Sequence, residues 1–334
     1  MRVWQIPAFG IDSLEFASRP DPSPGSGEVA VRIRAASFNY RDLMMIKGFY
    51  NPKLQFPRIP CSDGAGEVVA VGEGVTQWQP GDRVAGIFMQ NWIDGPATPA
   101  KVKGALGGDI DGMLAESVVL PEAGLIAIPK HLSFEEAAAL PCAAVTAWNA
   151  LVAADLKAGS TVLVQGTGGV SIFALQFARL MGMRVLGVSS SDEKLERAQT
   201  LGLHAGLNYR QTPEWERWVL DQTGGEGVDL VVEVGGVGTL PRSLRAVRMG
   251  GTIAQIGVLS GPSEHLPLPV ILHKQVHIRG IYVGSRRDFE DMNACIELAE
   301  LRPVFESQPW TKTREVLHRM EAGGHFGKLV VTVG

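Results

Sequence analysis

The sequence predicts an α/β protein in which a doubly wound parallel sheet of six strands follows a mostly antiparallel β domain. Three observations lead to this fold class. From residue 133 onward, short β-branched runs alternate with helical patterns. One of these runs, at 162–165, leads into a glycine-rich turn and then an apolar helical stripe. Residues 1–125, in contrast, are rich in glycine and proline between short β-like runs, which is typical of antiparallel strands.

In the first part of the chain, turn signals such as Pro80-Gly81-Asp82 separate the predicted strands. These strands cover residues 28–35, 66–72, 83–88 and 115–120. Residues 91–112 form a long insert without clear periodicity, and loops of this length are usually functional or mobile. We expect the insert to be a lid or a loop on the substrate side.

The second part begins with an alanine-rich helix, because Ser133 and Glu136 form a capping box in front of it. A later helix is expected at 213–222, with Thr212 as the N-cap and Pro213 as its first residue. Another helix is expected at 192–201. The predicted strand cores lie at 162–165, 185–188, 207–209, 229–234, 252–258 and 276–283.

The domain limits follow from the change between short β-like runs and alternating strands and helices. Residues 126–287 form the predicted parallel-sheet domain, and residues 1–125 with 288–334 form the predicted β domain. The C-terminal part joins the β domain because a helix and a last strand at 328–333 follow the alternating region.

Composition excludes several classes of function. The 334 residues are 45% hydrophobic and 20% charged, which is ordinary for a globular protein. A net charge of −4 predicts neither nucleic acid nor a membrane surface as a partner. No signal peptide or membrane span is expected. Three cysteines without a C-x-x-C motif fit a reducing compartment, and we expect a cytoplasmic protein.

The glycine-rich turn predicts a dinucleotide site. Gly166, Thr167, Gly168, Gly169 and Val170 join a strand to a helix, whose first N–H groups can bind a pyrophosphate. Gly166 permits the tight turn, and Gly168 allows close approach to the backbone. Ser171 stands where the G-x-G-x-x-G pattern has its third glycine, so the match is imperfect.

Several motifs occur together and in a characteristic order. They are Gly64-Ala65-Gly66-Glu67-Val68, Gly72-Glu73-Gly74-Val75, Pro80-Gly81-Asp82-Arg83-Val84, Ala143-Ala144-Val145-Thr146-Ala147-Trp148 and the glycine-rich turn. With them, essentially the whole chain resembles the medium-chain dehydrogenase/reductase superfamily and, within it, the zinc-independent quinone oxidoreductase-like branch. The resemblance implies a Rossmann domain plus a GroES-like β domain. It also implies a homodimer that forms through the apolar edge strand at 276–283. An apolar edge strand that stayed unpaired and exposed to solvent would be an aggregation risk.

The nicotinamide cofactor is predicted to be NADPH. An NAD site normally has a carboxylate at the end of the second strand, where this chain has Ser189 and Ser190. In the resembled branch, a lysine and a tyrosine that match Lys194 and Tyr209 bind the 2′-phosphate. Asp192 opposes this prediction. As a helix N-cap it would face the backbone, but it could instead bind the ribose of NAD.

The resemblance implies further cofactor contacts. Thr146 should lie against the nicotinamide ring, and the cofactor's phosphate end should be covered by the segment that contains His325, Gly327 and Lys328. Strand ends supply the remaining predicted contacts, which are Gly235, Gly257, Val258 and Leu259.

No metal is predicted. The positions of the zinc ligands in zinc-containing relatives are matched here by Asn39, Ser62 and Cys142, with Asp63 in place of a glutamate. Catalytic zinc needs three ligands of the Cys, His or carboxylate type, and this set does not provide them.

Without a Lewis acid, hydride addition to a quinone or an activated alkene needs less assistance than reduction of a simple ketone. The resemblance places Asn39, Asp42 and Tyr50 at the substrate site, with Ser62 and Asp63 at its floor. Asn39 would donate to the acceptor's carbonyl oxygen. Tyr50 would orient the substrate or relay a proton. We interpret Asp42 as a structural carboxylate rather than a base.

Two residues leave the acceptor open. Met44 stands where some quinone reductases have a second tyrosine, and Trp92 either flanks the substrate or packs. The predicted function is a metal-free, NADPH-dependent reductase of a quinone or an α,β-unsaturated carbonyl. The alternatives are a zinc-less alcohol dehydrogenase or ketone reductase, and a non-catalytic NADPH-binding sensor.

Overall fold

The computed structural model describes residues 1–257 and 268–334. Its strands are β1 (Arg2–Gln5), β2 (Glu15–Ser18), β3 (Glu28–Phe38), β4 (Asp63–Val71), β5 (Arg83–Gly86), β6 (Ser117–Pro121), β7 (Leu125–Ala127), β8 (Thr161–Gln165), β9 (Arg184–Ser189), β10 (Ala205–Asn208), β11 (Val228–Glu233), β12 (Val247–Gln255), β13 (His277–Gly280), β14 (Phe305–Pro309) and β15 (Lys328–Thr332). Its helices are α1 (Tyr40–Ile46), α2 (Phe134–Ala138), α3 (Val145–Val152), α4 (Gly169–Leu180), α5 (Asp192–Thr200), α6 (Trp215–Gln222), α7 (Leu240–Ala246), α8 (Leu268–Lys274), α9 (Arg286–Ala299) and α10 (Thr313–Glu321).

The chain divides into two compact units. The first contains Met1–Val145 and Val283–Gly334, and the second contains Thr146–Tyr282. The predicted limits were 125/126 and 287/288. They differ because β7 pairs with β5, and α2 packs against β3 and β4, so the chain after residue 125 still belongs to the first unit. Near the second limit, the Arg286 N–H donates to the Trp92 carbonyl at 2.9 Å.

The first unit is built on a seven-stranded sheet in the order β14-β15-β3-β4-β5-β7, with β6 also paired to β3. Only the β14–β15 pair is parallel among the described strands of this sheet. The mostly antiparallel β domain is therefore confirmed. The last strand returns to this sheet as predicted, and its register sets Leu329 opposite Phe38. That register brings residue 328 beside the end of β3.

The second unit contains the predicted parallel sheet of six strands, in the order β10-β9-β8-β11-β12-β13. Each strand is parallel to its neighbours. The order reverses direction at β8, and in sheets of this kind ligands bind outside the carboxyl ends of the strands at such a point. Leu163, Val231 and Ile253 lie in the core of this unit with no exposed surface.

Local capping was predicted correctly at one helix and wrongly at another. Ser133 accepts from the Glu136 N–H at 3.2 Å, and Glu136 Oε2 accepts from the Ser133 N–H at 2.7 Å, so the capping box before α2 is confirmed. The Thr212–Pro213 cap is wrong, because α6 begins at Trp215. The Thr212 N–H instead donates to the Asn208 carbonyl at 3.0 Å and forms part of a turn after β10.

The edge of the parallel sheet also differs from the prediction. β13 has only four residues, all of them exposed, instead of an apolar strand over 276–283. Among the described residues, no helix combines the length and the apolar character needed to cross a membrane.

Candidate functional site

The glycine-rich turn has the predicted form. Gly166 has a φ of 70°, in the left-handed region that glycine adopts without strain. Gly168 is the N-cap residue of α4, so the free N–H groups of the first helical turn begin at Gly169. Thr167 is buried. A twelve-residue helix that starts directly after a central parallel strand provides the anion-binding end that a pyrophosphate needs.

Ser171 explains how the imperfect motif still works. Its hydroxyl donates to the Gln165 carbonyl at 2.6 Å, and the residue is 2% exposed. The third glycine of the usual pattern allows the helix to pack closely on the strand. In this chain, a buried hydrogen bond connects the helix to the end of β8 instead.

The end of β9 contains the residues predicted to select NADPH. The N-cap of α5 is Ser191, which accepts from the Lys194 N–H at 3.3 Å, and so the prediction that Asp192 is the N-cap is wrong. Asp192 is instead held by two amides. Its carboxylate accepts from Asn208 at 3.2 Å and from Gln211 at 2.7 Å. These two bonds hold the carboxylate that opposed the NADPH prediction.

The other predicted residues around the ribose differ in accessibility. Ser189 is only 2% exposed, whereas Ser190 and Lys194 are partly exposed. Tyr209 is 39% exposed, and its N–H donates to the Ser189 carbonyl at 2.9 Å. Ser190, Lys194 and Tyr209 are therefore the residues of this group that a ligand can reach most readily.

A buried carboxylate that sequence reasoning missed organises the next strand end. Glu233 closes β11 with no exposed surface. One oxygen accepts from the Gly235 N–H at 2.8 Å, the Gly236 N–H at 3.0 Å and the Thr239 hydroxyl at 2.5 Å. The other accepts from Gln165 at 2.8 Å and from the hydroxyl of Ser243. The available signal was a single acid at the end of an apolar strand.

The other predicted cofactor residues of the second unit lie at the start of α3 and at the ends of β11 and β12. Thr146 is 3% exposed at the start of α3. Gly235 is fixed by Glu233, as described above. Gly257 must remain glycine, because a Cβ there would approach the Val234 carbonyl oxygen to 1.9 Å. Val258 and Leu259 lie outside the described residues.

In the first unit, α1 begins at the end of β3 and carries two predicted site residues. The Asn39 N–H donates to Asp42 Oδ2 at 2.8 Å, as in a capping box. Asp42 also pairs with Arg41 at 3.1 Å. Burial raises the pKa of Asp42 despite this pair, and the Asp63 carboxylate adds to the effect. These contacts support the structural role predicted for Asp42.

Tyr50 is connected to this region through Arg41. The Arg41 guanidinium lies 5.7 Å from the centre of the Tyr50 ring and 4.9 Å from that of Phe88. It also donates to the Leu106 carbonyl at 2.7 Å. Burial works to lower the pKa of Arg41, but the Asp42 carboxylate, Cys142 and Tyr50 together outweigh it, and the pKa is raised. Tyr50 itself is 41% exposed.

Four buried side chains form a closed polar cluster, which we call the Lys328 cluster: Asn39, Ser62, Asp63 and Lys328. Asn39 Nδ2 donates to Ser62 Oγ at 3.3 Å, and Ser62 Oγ donates to Asp63 Oδ1 at 2.7 Å. Lys328 Nζ donates to Asn39 Oδ1 at 2.5 Å and lies 3.5 Å from Asp63 Oδ2. The structure therefore brings three residues predicted for the acceptor site together with Lys328, which was predicted to contact the cofactor.

The position of Lys328 corrects a prediction. Its ammonium was expected at the phosphate end of the cofactor, but it is 2% exposed and also donates to the Phe38 carbonyl at 2.8 Å. Gly327 has a φ of 72°, and a Cβ there would meet the Val304 carbonyl oxygen at 2.2 Å, so it serves the backbone turn into β15. His325 is partly buried on the same segment.

Trp92, in the long insert, is 9% exposed and donates to the Gly95 carbonyl. These contacts support the interpretation that Trp92 packs rather than contacts the substrate.

The Lys328 cluster does not fit a zinc ion. Of the three positions that the resemblance matches to metal ligands, Asn39 and Ser62 carry an amide and a hydroxyl. At the third, burial and the Asp63 charge raise the pKa of the Cys142 thiol, and its backbone N–H donates to Asp63 at 3.2 Å. Throughout residues 1–257 and 268–334, no group of three His, Cys, Asp or Glu residues could hold a metal. The Lys328 ammonium would also repel a second cation.

Comparison with known proteins identifies the family of the chain. Residues 25–130 match the alcohol dehydrogenase GroES-like domain, and residues 169–298 match the zinc-binding dehydrogenase family. A zinc-type alcohol dehydrogenase-like protein of Schizosaccharomyces pombe is 45% identical over 97% of this chain and 96% of its own length. An acryloyl-coenzyme A reductase of Metallosphaera sedula is 35% identical over 85% of each chain.

A solved structure extends the comparison to the whole fold. The crystal structure of a putative alcohol dehydrogenase from Sinorhizobium meliloti has a TM-score of 0.92 and 40% identity, and covers 99% of this chain and 98% of that one. The Rossmann and GroES-like folds are thereby confirmed. From its motifs, its two sheets and these relatives, the chain belongs to the medium-chain dehydrogenase/reductase superfamily and is an NAD(P)H-dependent oxidoreductase.

Proposed function

We propose that the protein is a metal-free, NADPH-dependent reductase of a quinone or an α,β-unsaturated carbonyl compound. The observation that carries the proposal is the Lys328 cluster, where an amide (Asn39) and a hydroxyl (Ser62) stand at two of the three positions that the resemblance matches to metal ligands, and the Lys328 ammonium lies beside them. Hydride addition to a conjugated acceptor suits such a site, because the negative charge that develops is spread into the carbonyl group and can be met by hydrogen-bond donors.

The second unit provides the residues that would hold the cofactor. The pyrophosphate would bind at the N-terminus of α4, with Gly166 and Gly168 at the turn. Lys194, Ser190 and Tyr209 would bind the 2′-phosphate. Bound NADPH supplies the hydride. NADPH is favoured over NADH because serines stand where an NAD site has a carboxylate and the Lys194 ammonium can pair with a phosphate, while two amides orient the Asp192 carboxylate.

The first unit provides the acceptor side. Asn39 would donate an amide N–H to the acceptor's carbonyl oxygen, where negative charge develops. Tyr50, exposed and beside Arg41, would orient the substrate. Ser62 would hold the Asn39 amide by accepting from its Nδ2, and Asp63 would hold the Ser62 hydroxyl by accepting from it. Asp42 would fix the start of α1.

The Metallosphaera sedula relative is named an acryloyl-coenzyme A reductase, and an acryloyl group is a conjugated acceptor, which supports the enone class. Alcohol dehydrogenases among the relatives support a second candidate, a zinc-less reductase of saturated ketones. The two candidates share a cofactor and differ in whether the acceptor is conjugated.

For the leading candidate, we expect purified protein treated with a chelator to oxidise NADPH with conjugated enones or quinones faster than with matched saturated ketones. Loss of NADPH absorbance measures the rate, and elemental analysis measures zinc. In the same assay, Asn39→Ala should lower kcat by about 100-fold or more, because it removes one hydrogen-bond donor from the developing charge. Faster turnover of saturated ketones would favour the second candidate, and activity that depends on stoichiometric zinc would contradict both.

Cofactor choice is tested by Lys194→Ala, with the exposed Lys157→Ala as its control. Loss of a charged contact to the 2′-phosphate should raise the KM for NADPH by about ten- to a hundredfold. The KM for NADH should change little, since NADH has no such phosphate. An equal effect on both cofactors would show that Lys194 does not read the phosphate.

Glu233→Gln should act on both cofactors alike. The change places an amide NH₂ against donors that now face a carboxylate, which should destabilise the fold by about 1–3 kcal/mol. We expect the Kd values for NADPH and NADH, measured by titration, to rise by the same factor. Glu226→Gln, an exposed change in the same unit, is the control. A selective effect on one cofactor would contradict the proposed role in shaping the strand end.

We also propose a homodimer through the edge of the parallel sheet. β13 ends the sheet order, and exposed apolar side chains lie near it, among them Leu272, Ile278 and Tyr282. Sedimentation should give twice the chain mass of 35.8 kDa at micromolar concentration, and Ile278→Lys should shift the protein toward monomer. A wild-type monomer under these conditions would refute the dimer.

A further inference from the structure

We propose that Lys328 is the positioning residue of the acceptor site, and that its buried ammonium fixes the Asn39 amide so that one amide N–H is available to the acceptor's carbonyl oxygen. This inference rests on the proposed function and gives Lys328 a role in the reaction that the proposal does not assign to it. It follows from the direction of each hydrogen bond in the Lys328 cluster.

The ammonium determines which way the Asn39 amide faces. An ammonium group can only donate hydrogen bonds, so the Asn39 atom that it contacts at 2.5 Å must be the carbonyl oxygen, Oδ1. Nδ2 must then point to the other side, where Ser62 Oγ lies at 3.3 Å. Without the ammonium, only the 3.3 Å contact with Ser62 would hold the amide in this orientation.

Asp63 fixes the direction of the hydrogen bond between Ser62 and Asn39. Its carboxylate accepts from the Ser62 hydroxyl at 2.7 Å, so that hydroxyl has used its only proton and presents a lone pair to Asn39. Nδ2 carries two hydrogens, and the contacts made among the described residues engage one of them. The second is left for a ligand, on a residue that keeps 8% of its surface exposed.

The fold holds the ammonium in place and compensates for its burial. Lys328 begins β15, whose register with β3 sets the next residue opposite Phe38. Two oxygen atoms accept from Nζ, those of Phe38 and Asn39, and the Asp63 carboxylate lies at 3.5 Å. A buried ammonium is tolerated when it is paired and hydrogen-bonded in this way. A lysine at residue 328 therefore has the partners that a buried ammonium needs.

The ammonium also makes Asn39 a stronger donor. A charge-assisted hydrogen bond to Oδ1 withdraws electrons from the amide and increases the positive charge on its N–H groups. As a hydride adds to the β-carbon of an enone, the C=C electron pair moves toward the carbonyl oxygen and forms an enolate. The enolate oxygen would accept from Asn39, and a water molecule would then protonate the α-carbon. The Lys328 proton is not transferred.

The test compares Lys328→Met with Asn39→Ala and with the double variant. Lys328→Met keeps the length of the side chain and removes its charge. It should lower kcat with an enone at least tenfold and leave the KM for NADPH within twofold of the wild-type value. In the Asn39→Ala background, it should have no further effect on kcat, because the lysine acts through that amide. The exposed Lys312→Met, which loses only a surface pair with Glu315, is the control.

Several results would overturn the proposal. They are a kcat within twofold of wild type in Lys328→Met, a raised KM for NADPH with unchanged kcat, and fully additive effects in the double variant. The second result would return Lys328 to the cofactor's phosphate end. If Lys328→Met does not fold, Lys328→Gln, which keeps a donor without the charge, should fold and show the same selective loss of kcat.

A readout independent of activity separates this inference from the proposed function. The side-chain amide resonances of Asn39, assigned by their loss in Asn39→Ala, should shift in Lys328→Met or Lys328→Gln and stay unchanged in Lys312→Met. If the wild type reduces no enone or quinone, the proposed function fails while this shift still tests the amide's anchoring. If the resonances do not respond to the loss of the ammonium, the inference fails whatever the activity.

Discussion

The pairing of β15 with β3 is the contact on which the first unit depends. It joins a late segment of the chain, which contains β14 and β15, to the early strands of the same sheet. Because the pairing sets Leu329 opposite Phe38, the same register places the preceding residue, Lys328, and its ammonium beside Asn39. Pairing of β15 with β3 therefore also buries the Lys328 ammonium, and the polar cluster supplies the partners that a buried charge needs.

The second unit solves a comparable problem with a negative charge. Glu233 is as deeply buried as Lys328, but its partners are N–H and hydroxyl groups rather than a cation. Those donors belong to the ends of two adjacent strands, β8 and β11, and to the turn before α7. A single carboxylate therefore shapes the strand ends from which a nucleotide site is built, while Ser171 attaches the helix that follows β8.

Much of the fold could be predicted from the sequence, because its signals are local. The alternation of strands and helices, the glycine-rich turn and the capping box at Ser133 each depend on residues within a few positions. The expected cap at Thr212 failed because a turn formed by Asn208 takes up its N–H. The role of Lys328 could not be predicted from local pattern, since its partner Asn39 is 289 residues away. The register of β15 on β3 decides that contact.

The two amides that hold Asp192 have an evolutionary consequence. Asn208 and Gln211 donate to a carboxylate that is close in sequence to Ser190 and Lys194, the residues proposed to bind the 2′-phosphate. If these residues bind the phosphate as proposed, loss of either amide would leave the Asp192 carboxylate less constrained beside them, and a phosphorylated coenzyme would be disfavoured. Preference between the two coenzymes can therefore change in a lineage through residues that touch neither of them, so a survey of contact residues alone would misassign such descendants.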